Sequence, residues 1–469
     1  MSINKDKDLK ILNSIIMSEE LSFRDRPINM DEKGRRKWIY AKKPRGKWFN
    51  YRTLVSWFWL SIFVFLPIIK VNGNPIMLID IVHRKFIIFG AIFWAQDTFI
   101  LALLMLSFVL FIVLFTVTFG RIWCGWACPQ TIFLEMIYRK IEYLIEGDFK
   151  ERHKLDEGPL NATKIFKKTL KHIIFVIVSI LITNTFLMWF IGFDGLKELL
   201  QDPISQHKAG FIIMLIISAI FYGIYAFFRE QICTMVCPYG RMQGVLLDSK
   251  SIIVAYDYKR GEPRGEKDGG DCVNCQQCVS VCPTGIDIRN GTQLECINCT
   301  ACIDECNTIM RKVNKPEGLI RFDSIEGIEN GKRKVWNTRN IAYSAVLLGI
   351  LTFFVITLLT RPKVETTILR TPGLTYQVFD DGKISNVYNI KIVNKTHDAI
   401  DFEMKVLNLD AQIEMAGDKQ IIEDQGMFES VFVLKIDKSE LKSSRTEIEF
   451  GIFNKGELIE TYNVTFSGP

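Results

Sequence analysis

Long uninterrupted apolar stretches alternate with charged connectors along the first three quarters of this chain. A helix needs about 20 such residues to cross a bilayer. Five stretches predict crossings: about Thr53 to Ile69, Thr98 to Gly120, about Ile173 to Phe193, about Phe211 to Phe228 and about Ile341 to Thr360. A further apolar run, Phe86 to Trp94, is too short to span and predicts an interfacial or re-entrant helix. Beyond the last crossing the period changes to two. Val387–Val393, Ile400–Val406, Ser430–Ile436 and Glu447–Phe453 read as short strands, and Asn454-Lys455-Gly456-Glu457 predicts a hairpin turn into Leu458–Phe466. This pattern predicts an antiparallel all-β sandwich of immunoglobulin type.

Composition alone hides this organisation, because 48% hydrophobic residues and a net charge of +6 are ordinary. The distribution of lysine and arginine is informative. The segment before the first crossing and the connector from Arg121 to Lys168 are rich in basic residues, whereas Gly192–Gly210 carries only Lys197 and Lys208. Basic residues stay on the cytoplasmic side of spanning helices. The pattern therefore predicts membrane orientation rather than nucleic-acid binding. It places the N-terminus and the second-to-third and fourth-to-fifth connectors in the cytoplasm, with the C-terminal region outside. The charged first fifty residues carry no secretory signal pattern, so the first crossing is expected to act as the targeting element. The expected organisation is a basic cytoplasmic segment (1–52), four transmembrane helices (53–228), a cytoplasmic insert (229–338), a fifth helix (339–360) and a periplasmic sandwich (361–469).

All twelve cysteines fall into four motifs. Two are runs in the cytoplasmic insert: Cys272-x2-Cys275-x2-Cys278-x3-Cys282-Pro283 and Cys296-x2-Cys299-x2-Cys302-x3-Cys306. A zinc site accounts for paired Cys-x2-Cys motifs, but not for two runs that each add a third and a fourth cysteine. The spacing is that of bacterial two-cluster ferredoxins, in which the fourth cysteine of each run ligates the other cluster. One [4Fe–4S] cluster is therefore assigned to Cys272, Cys275, Cys278 and Cys306, and a second to Cys296, Cys299, Cys302 and Cys282. Asn307 stands where a second proline often follows, which changes no ligand.

The other two motifs are Cys-x3-Cys-Pro: Cys124/Cys128/Pro129 after the second crossing and Cys233/Cys237/Pro238 after the fourth. Proline suits the first position of a new helix, which predicts Cys128 and Cys237 as N-caps with the chain kinked there. A thiol at a helix N-terminus gains thiolate character. Both pairs end up at the same depth on the cytoplasmic side. Four convergent soft thiolates suit Cu(I) or another thiophilic metal. A dithiol/disulfide couple and plain buried cysteines at helix packing points are the alternatives. Only His172 lies near a crossing, which argues against a membrane haem.

The run DCVNCQQCVSVCPTGIDIRNGTQLECINCTACIDEC, together with GRIWCGWACPQT and REQICTMVCPYGRMQ, resembles the cytochrome c oxidase accessory proteins of the CcoG/FixG (RdxA) type. GRRKWIY and RTPGLTYQ are similar too, and the resemblance extends in order from about Asp31 onward. It implies a polytopic protein of the bacterial inner membrane that carries two [4Fe–4S] clusters and an outer immunoglobulin-like domain. It also implies reduction of Cu(II) to Cu(I) during maturation of cbb3-type cytochrome c oxidase. The implied partners are oxidase assembly factors or copper-handling proteins and a cytoplasmic electron donor, with homo-oligomerisation left open. Cys124, Cys128, Cys233 and Cys237 then become candidates for binding copper or relaying electrons to it. A quinol-linked polyferredoxin subunit and a non-enzymatic assembly scaffold or redox sensor are the rival readings.

Overall fold

The computed structural model describes residue 36 and residues 38–468, apart from 72–73, 82–84, 95–96, 266–268, 332–334, 374–375, 380–381, 397, 417–420, 424–425 and 442. Most of the basic N-terminal segment therefore lies outside the described residues. The chain divides into two compact units, Met1–Thr352 and Phe353–Pro469.

Five long helices organise the first unit and its exit: α1 (Lys47–Phe65), α2 (Thr98–Phe119), α3 (Ala162–Gln201), α4 (Lys208–Gly223, continued by a π-helical turn Ile224–Phe228) and α5 (Thr338–Leu359). Among the described residues, α2 to α5 are the four long and apolar enough to cross a membrane. Their outward faces carry exposed large apolar side chains such as Phe108, Ile177, Ile212 and Leu348. An apolar outward surface of this kind suits lipid rather than water. The first expected crossing is helical but is not among the four. Its opening turns carry Lys47, Asn50 and Arg52, so only Thr53–Phe65 is apolar, short of the ~20 residues a spanning helix needs. Helix α3 is longer than expected and breaks at Gly192, whose φ of 74° leaves the helical region.

One local expectation is overturned. Phe86–Trp94 is not an interfacial or re-entrant helix. It lies largely within an antiparallel three-stranded sheet of Met77–Asp80, Lys85–Ile88 and Ala91–Phe93. Paired β-branched residues (Ile87 opposite Ile92) favour strands. Phe89 and Gly90, at φ 50° and 81°, close the hairpin in the left-handed region a tight turn requires.

Between α4 and α5, each cysteine run wraps into a loop and passes into a helix: Gln277–Ser280, which carries Cys278 of the first run, and Ala301–Lys312, which carries Cys302 and Cys306 of the second. Strands Ile253–Tyr256 and Ile320–Asp323 pair antiparallel alongside them. Val254, Tyr256, Ile286, Ile288, Ile303 and Met310 share a core with the cysteines themselves.

The second unit is an all-β sandwich. One sheet runs in the order Ala411–Met415, Met427–Asp437, Lys383–Asn394, Val364–Arg370, with Gln377–Val378 also on Lys383–Asn394. The other runs Ile421–Ile422, Ile400–Val406, Arg445–Asn454, Glu457–Ser467. Every strand read from the sequence lies within one of these, and Lys455 and Gly456 turn the expected hairpin at positive φ. Inward residues such as Tyr388, Phe432 and Phe450 are fully buried and packed ring on ring.

Candidate functional site

The two cysteine runs repeat one backbone device. Asn274 and Gln276 flank Cys275 at positive φ, and Asn298 and Thr300 flank Cys299 in the same way. Left-handed residues interleaved among ordinary ones turn successive N–H groups towards one concavity, an arrangement that favours an anionic occupant. Non-glycine residues hold this conformation at a cost of about 1 kcal/mol or more each. Here the cost is met four times at matched positions.

The runs enclose two cavities and exchange their fourth cysteines. One cavity is lined by Cys272, Cys275, Cys278 and Cys306 with Arg289 at its edge. The other is lined by Cys282, Cys296, Cys299 and Cys302, with Cys278 on the wall between them. Burial pushes the thiols of Cys278, Cys296 and Cys306 up to about 12 and that of Cys299 up to about 11. Such thiols stay protonated at neutral pH on their own, and iron must displace the protons to bind. None of the twelve cysteines is paired in a disulfide. Among the described residues, no three histidine, cysteine, aspartate or glutamate side chains converge closely enough to hold a single metal ion. Cysteines spread round a cavity instead fit a polynuclear cluster.

The membrane-edge motifs are built alike. Helix α2 ends at Gly120 (φ 58°) and helix α4 at Arg229 (φ 52°). In each case a short helical turn then carries the first cysteine, Cys124 on Ile122–Trp126 and Cys233 on Ile232–Val236. Cys128 and Cys237 are the N-caps of Pro129–Ile132 and Pro238–Leu246. The expected thiolate character at Cys128 does not follow. Burial pushes its thiol up, and Cys124 and Cys237 add to the rise. Burial also pushes Cys233 up to about 12, reinforced by Cys128, Cys124 and Cys237 and opposed by Arg121. The four thiols are thus neighbours in the fold. Among the described residues, no three of them converge on one point.

These cysteines do not stand apart from the cluster loops. Cys124 shares a buried apolar cluster with Val281, Ile297, Cys299 and Ala301, with Cys302 packed against it. Trp126 Nε1 donates to the Asn298 carbonyl (3.1 Å), and Gln243 Nε2 donates to Cys124 Sγ (3.4 Å). Gly125 allows this approach. A Cβ there would sit 2.3 Å from the Ile297 carbonyl oxygen and 3.1 Å from the Cys299 backbone. Arg52 of α1 fixes the same turn through Nε to the Gly125 carbonyl, 2.7 Å. Gly125→Val is therefore expected to displace the second cluster loop. The cost is about 1–3 kcal/mol, as for overpacking a filled core, with loss of bound iron. Iron content and thermal midpoint check it together.

Sequence reasoning singled out the cysteines but not Arg52, Gly125, Trp126, Gln243 or Asn298. One signal was present in the sequence: Gly120 and Arg229 each precede the first cysteine of their motif by four residues.

Matches to known families cover all four cysteine motifs and the C-terminal sandwich. A 4Fe-4S dicluster domain matches residues 228–269 and 262–325, and a 4Fe-4S binding domain matches 101–149, so every cysteine lies in a matched region. The IG-like fold at the C-terminal of FixG matches 354–469. Protein RdxB of Cereibacter sphaeroides is 31% identical over 78% of this chain and 81% of its own length. Protein RdxA of the same organism is 32% identical over 74% of this chain and 77% of its own. The nitrogen fixation protein FixG of Rhizobium meliloti is 31% identical over 77% of each. With the cysteine cavities, the apolar helices and the C-terminal sandwich, these matches show that the chain belongs to the FixG/Rdx family of membrane iron–sulfur electron-transfer proteins.

Proposed function

We propose that this protein takes electrons from a cytoplasmic donor into two [4Fe–4S] clusters and passes them to Cu(II) at the membrane-edge cysteines, supplying Cu(I) for assembly of a cbb3-type oxidase. Cys272, Cys275, Cys278 and Cys306 would hold one cluster, and Cys296, Cys299, Cys302 and Cys282 the other. The clusters supply one-electron storage. The observation that carries the reading is the packing of Cys124 directly on the loop of Cys299 and Cys302. An acceptor at the motifs is then in contact with the wall of the second cluster cavity. One electron drawn from the clusters would convert one Cu(II) to Cu(I). Thiolate ligands favour the product state.

The same reading sets the topology as five crossings in the bacterial inner membrane, with the N-terminus and cluster domain cytoplasmic and the C-terminal sandwich periplasmic. The ends of the helices support it. The first turn of α1 donates from Trp48 N and Phe49 N to the Asp304 carboxylate in the cluster domain. The last turn of α2 returns there, where Thr118 O accepts from Ile252 N at 2.9 Å. Past the far end of α1, Lys70 pairs with Asp194 (2.5 Å), beyond the break in α3. Helix α1 therefore runs beside the spanning helices despite its short apolar stretch.

Cys124→Ser with Cys128→Ser is expected to abolish cupric reduction by the dithionite-reduced protein while leaving its iron content unchanged. Undiminished reduction would remove these cysteines from the path.

A quinol-linked role is favoured by one observation. A cavity of about 190 Å³, lined by Trp59, Phe63, Ala127, Pro129, Phe133 and Trp189, adjoins Cys128. Reduction of the clusters by a soluble quinol analogue would support that role.

A further inference from the structure

The largest cavity described, about 710 Å³, lies on the cluster side of the molecule and is used by none of the chemistry above. It is formed where the strap Trp38–Tyr40 crosses the helix Phe149–Glu157, and its remaining walls are Gly158 and Gly285. Gly285 belongs to the turn after the first cysteine run. Gly285 N donates to the Cys282 carbonyl at 3.2 Å, and Cys282 lines the second cluster cavity. The cavity floor is thus three residues from a cluster cysteine. A Cβ at Gly285, itself at φ 75°, would come within 3.2 Å of Ile39.

The lining has two chemical halves. Trp38, Tyr40 and Phe149 supply half-buried aromatic surface. Trp38 is fixed between the guanidinium groups of Arg36 and Arg229, at 4.4 and 5.0 Å from its ring centre. Lys150 and Lys154 stand one helical turn apart at the rim, with His153 between them. Neither ammonium forms an ion pair with a described residue, whereas His153 faces Glu157 at 3.2 Å. The volume falls within the ~300–1,000 Å³ of small-ligand sites, and mostly apolar walls with a few placed polar groups are their usual construction.

We propose that this cavity binds a reduced flavin mononucleotide as the electron donor, with its ring system against the aromatic wall and its phosphate on Lys150 and Lys154. The proposal rests on the reading that electrons enter the clusters from the cytoplasm. Flavin chemistry follows from the acceptor. A [4Fe–4S] cluster takes one electron at a time, so a nicotinamide, which gives up a hydride pair, cannot discharge into it directly. The anionic flavin hydroquinone loses two electrons singly and one proton from N5. Two oxidised clusters each take one electron, the flavin leaves oxidised, and the proton passes to water at the open rim.

The test uses the full-length protein in detergent, purified anaerobically with its clusters, and flavin mononucleotide as the probe. Flavin fluorescence measures binding to the oxidised protein. Stopped-flow absorbance follows cluster reduction by the photoreduced flavin. Lys150→Glu with Lys154→Glu is expected to weaken binding and slow reduction by about tenfold or more, the scale of losing about 1.4 kcal/mol of charge-assisted phosphate contact. Glu157→Lys is expected to tighten binding, a gain that misfolding cannot mimic. Riboflavin, without the phosphate, should bind the native protein more weakly than flavin mononucleotide does, and should bind the native protein and the double variant alike. Dithionite reduction of the clusters should be equal in all variants. Absence of flavin binding, equal binding by the variants, or cluster reduction by a flavodoxin but not by free flavin would overturn the proposal. Failure of the dithionite-reduced protein to reduce Cu(II) would instead overturn the function proposed above and leave flavin entry standing.

Discussion

Cys306→Ser is expected to lower bound iron from about eight to about four atoms per chain, and the cluster lost is that of the other run. Cys306 belongs by sequence to the second run, but it lines the cavity of Cys272, Cys275 and Cys278. Its thiol is raised first by burial and then by Cys278, Cys275 and Cys272. Cys282→Ser should do the converse, because Cys282 lines the cavity of Cys296, Cys299 and Cys302. The two variants are thus expected to leave complementary single clusters, distinguishable by EPR of the reduced protein. Loss of the cluster from the mutated cysteine's own run would mean that the fourth cysteines do not cross over.

The second large effect lies in a buried ion network that no motif announces. Glu142 accepts two hydrogen bonds from Arg229, at 2.7 and 2.9 Å, and one from Arg152 at 2.8 Å. Arg139 pairs with Glu135 at 2.9 Å and donates to the Pro283 carbonyl of the cluster loop, also at 2.9 Å. All three arginines and Glu142 are at most 2% exposed. The bidentate bond also holds Arg229 at φ 52°, where the chain leaves α4 for the second cysteine motif. Glu142→Leu strands buried guanidinium charge and is expected to cost about 3–5 kcal/mol, as when one partner of a buried pair is removed. The thermal midpoint should fall accordingly, whereas Glu157→Leu, exposed on the next helix, should leave it unchanged.

The same carboxylate sets an acid limit. Burial alone would raise it, but Arg229 and Arg152 together hold Glu142 down to about 2. A group whose pKa is lower folded than unfolded stabilises the protein above its unfolded value, about 4.3. That contribution should be lost as the pH falls from about 4.3 towards 2. A pH series of unfolding midpoints, compared between native protein and Glu142→Leu, should converge at the acid end.

Much of this architecture was legible from local pattern. Apolar runs of spanning length show themselves because lipid demands a continuous apolar surface, and α2, α4 and α5 begin or end within a few residues of where composition placed them. The sandwich strands were legible because one face is buried and the period is strictly two. The reading of Phe86–Trp94 as a helix went wrong because a short apolar run has no decisive period. Pairing of Ile87 with Ile92 across the Phe89–Gly90 turn decided it. Helix α1 was legible as a helix but not as one anchored by Asp304 and by its own Arg52, since both contacts join residues far apart in sequence.

By itself the sequence determined the chemistry available to this protein: twelve cysteines in four spacings, apolar lengths that suit a bilayer, and a β-period domain after the last of them. Spacing along a loop constrains which thiols face one cavity, so the two iron–sulfur sites are readable without coordinates. Tertiary structure alone decided how the membrane-edge motifs relate to those sites. Cys124 meets Cys299 because Gly125 has no side chain to keep the backbones apart, and because buried charge clamps the connecting helices. Close approach between distant segments depends on the sum of their packing, and no local pattern encodes that sum.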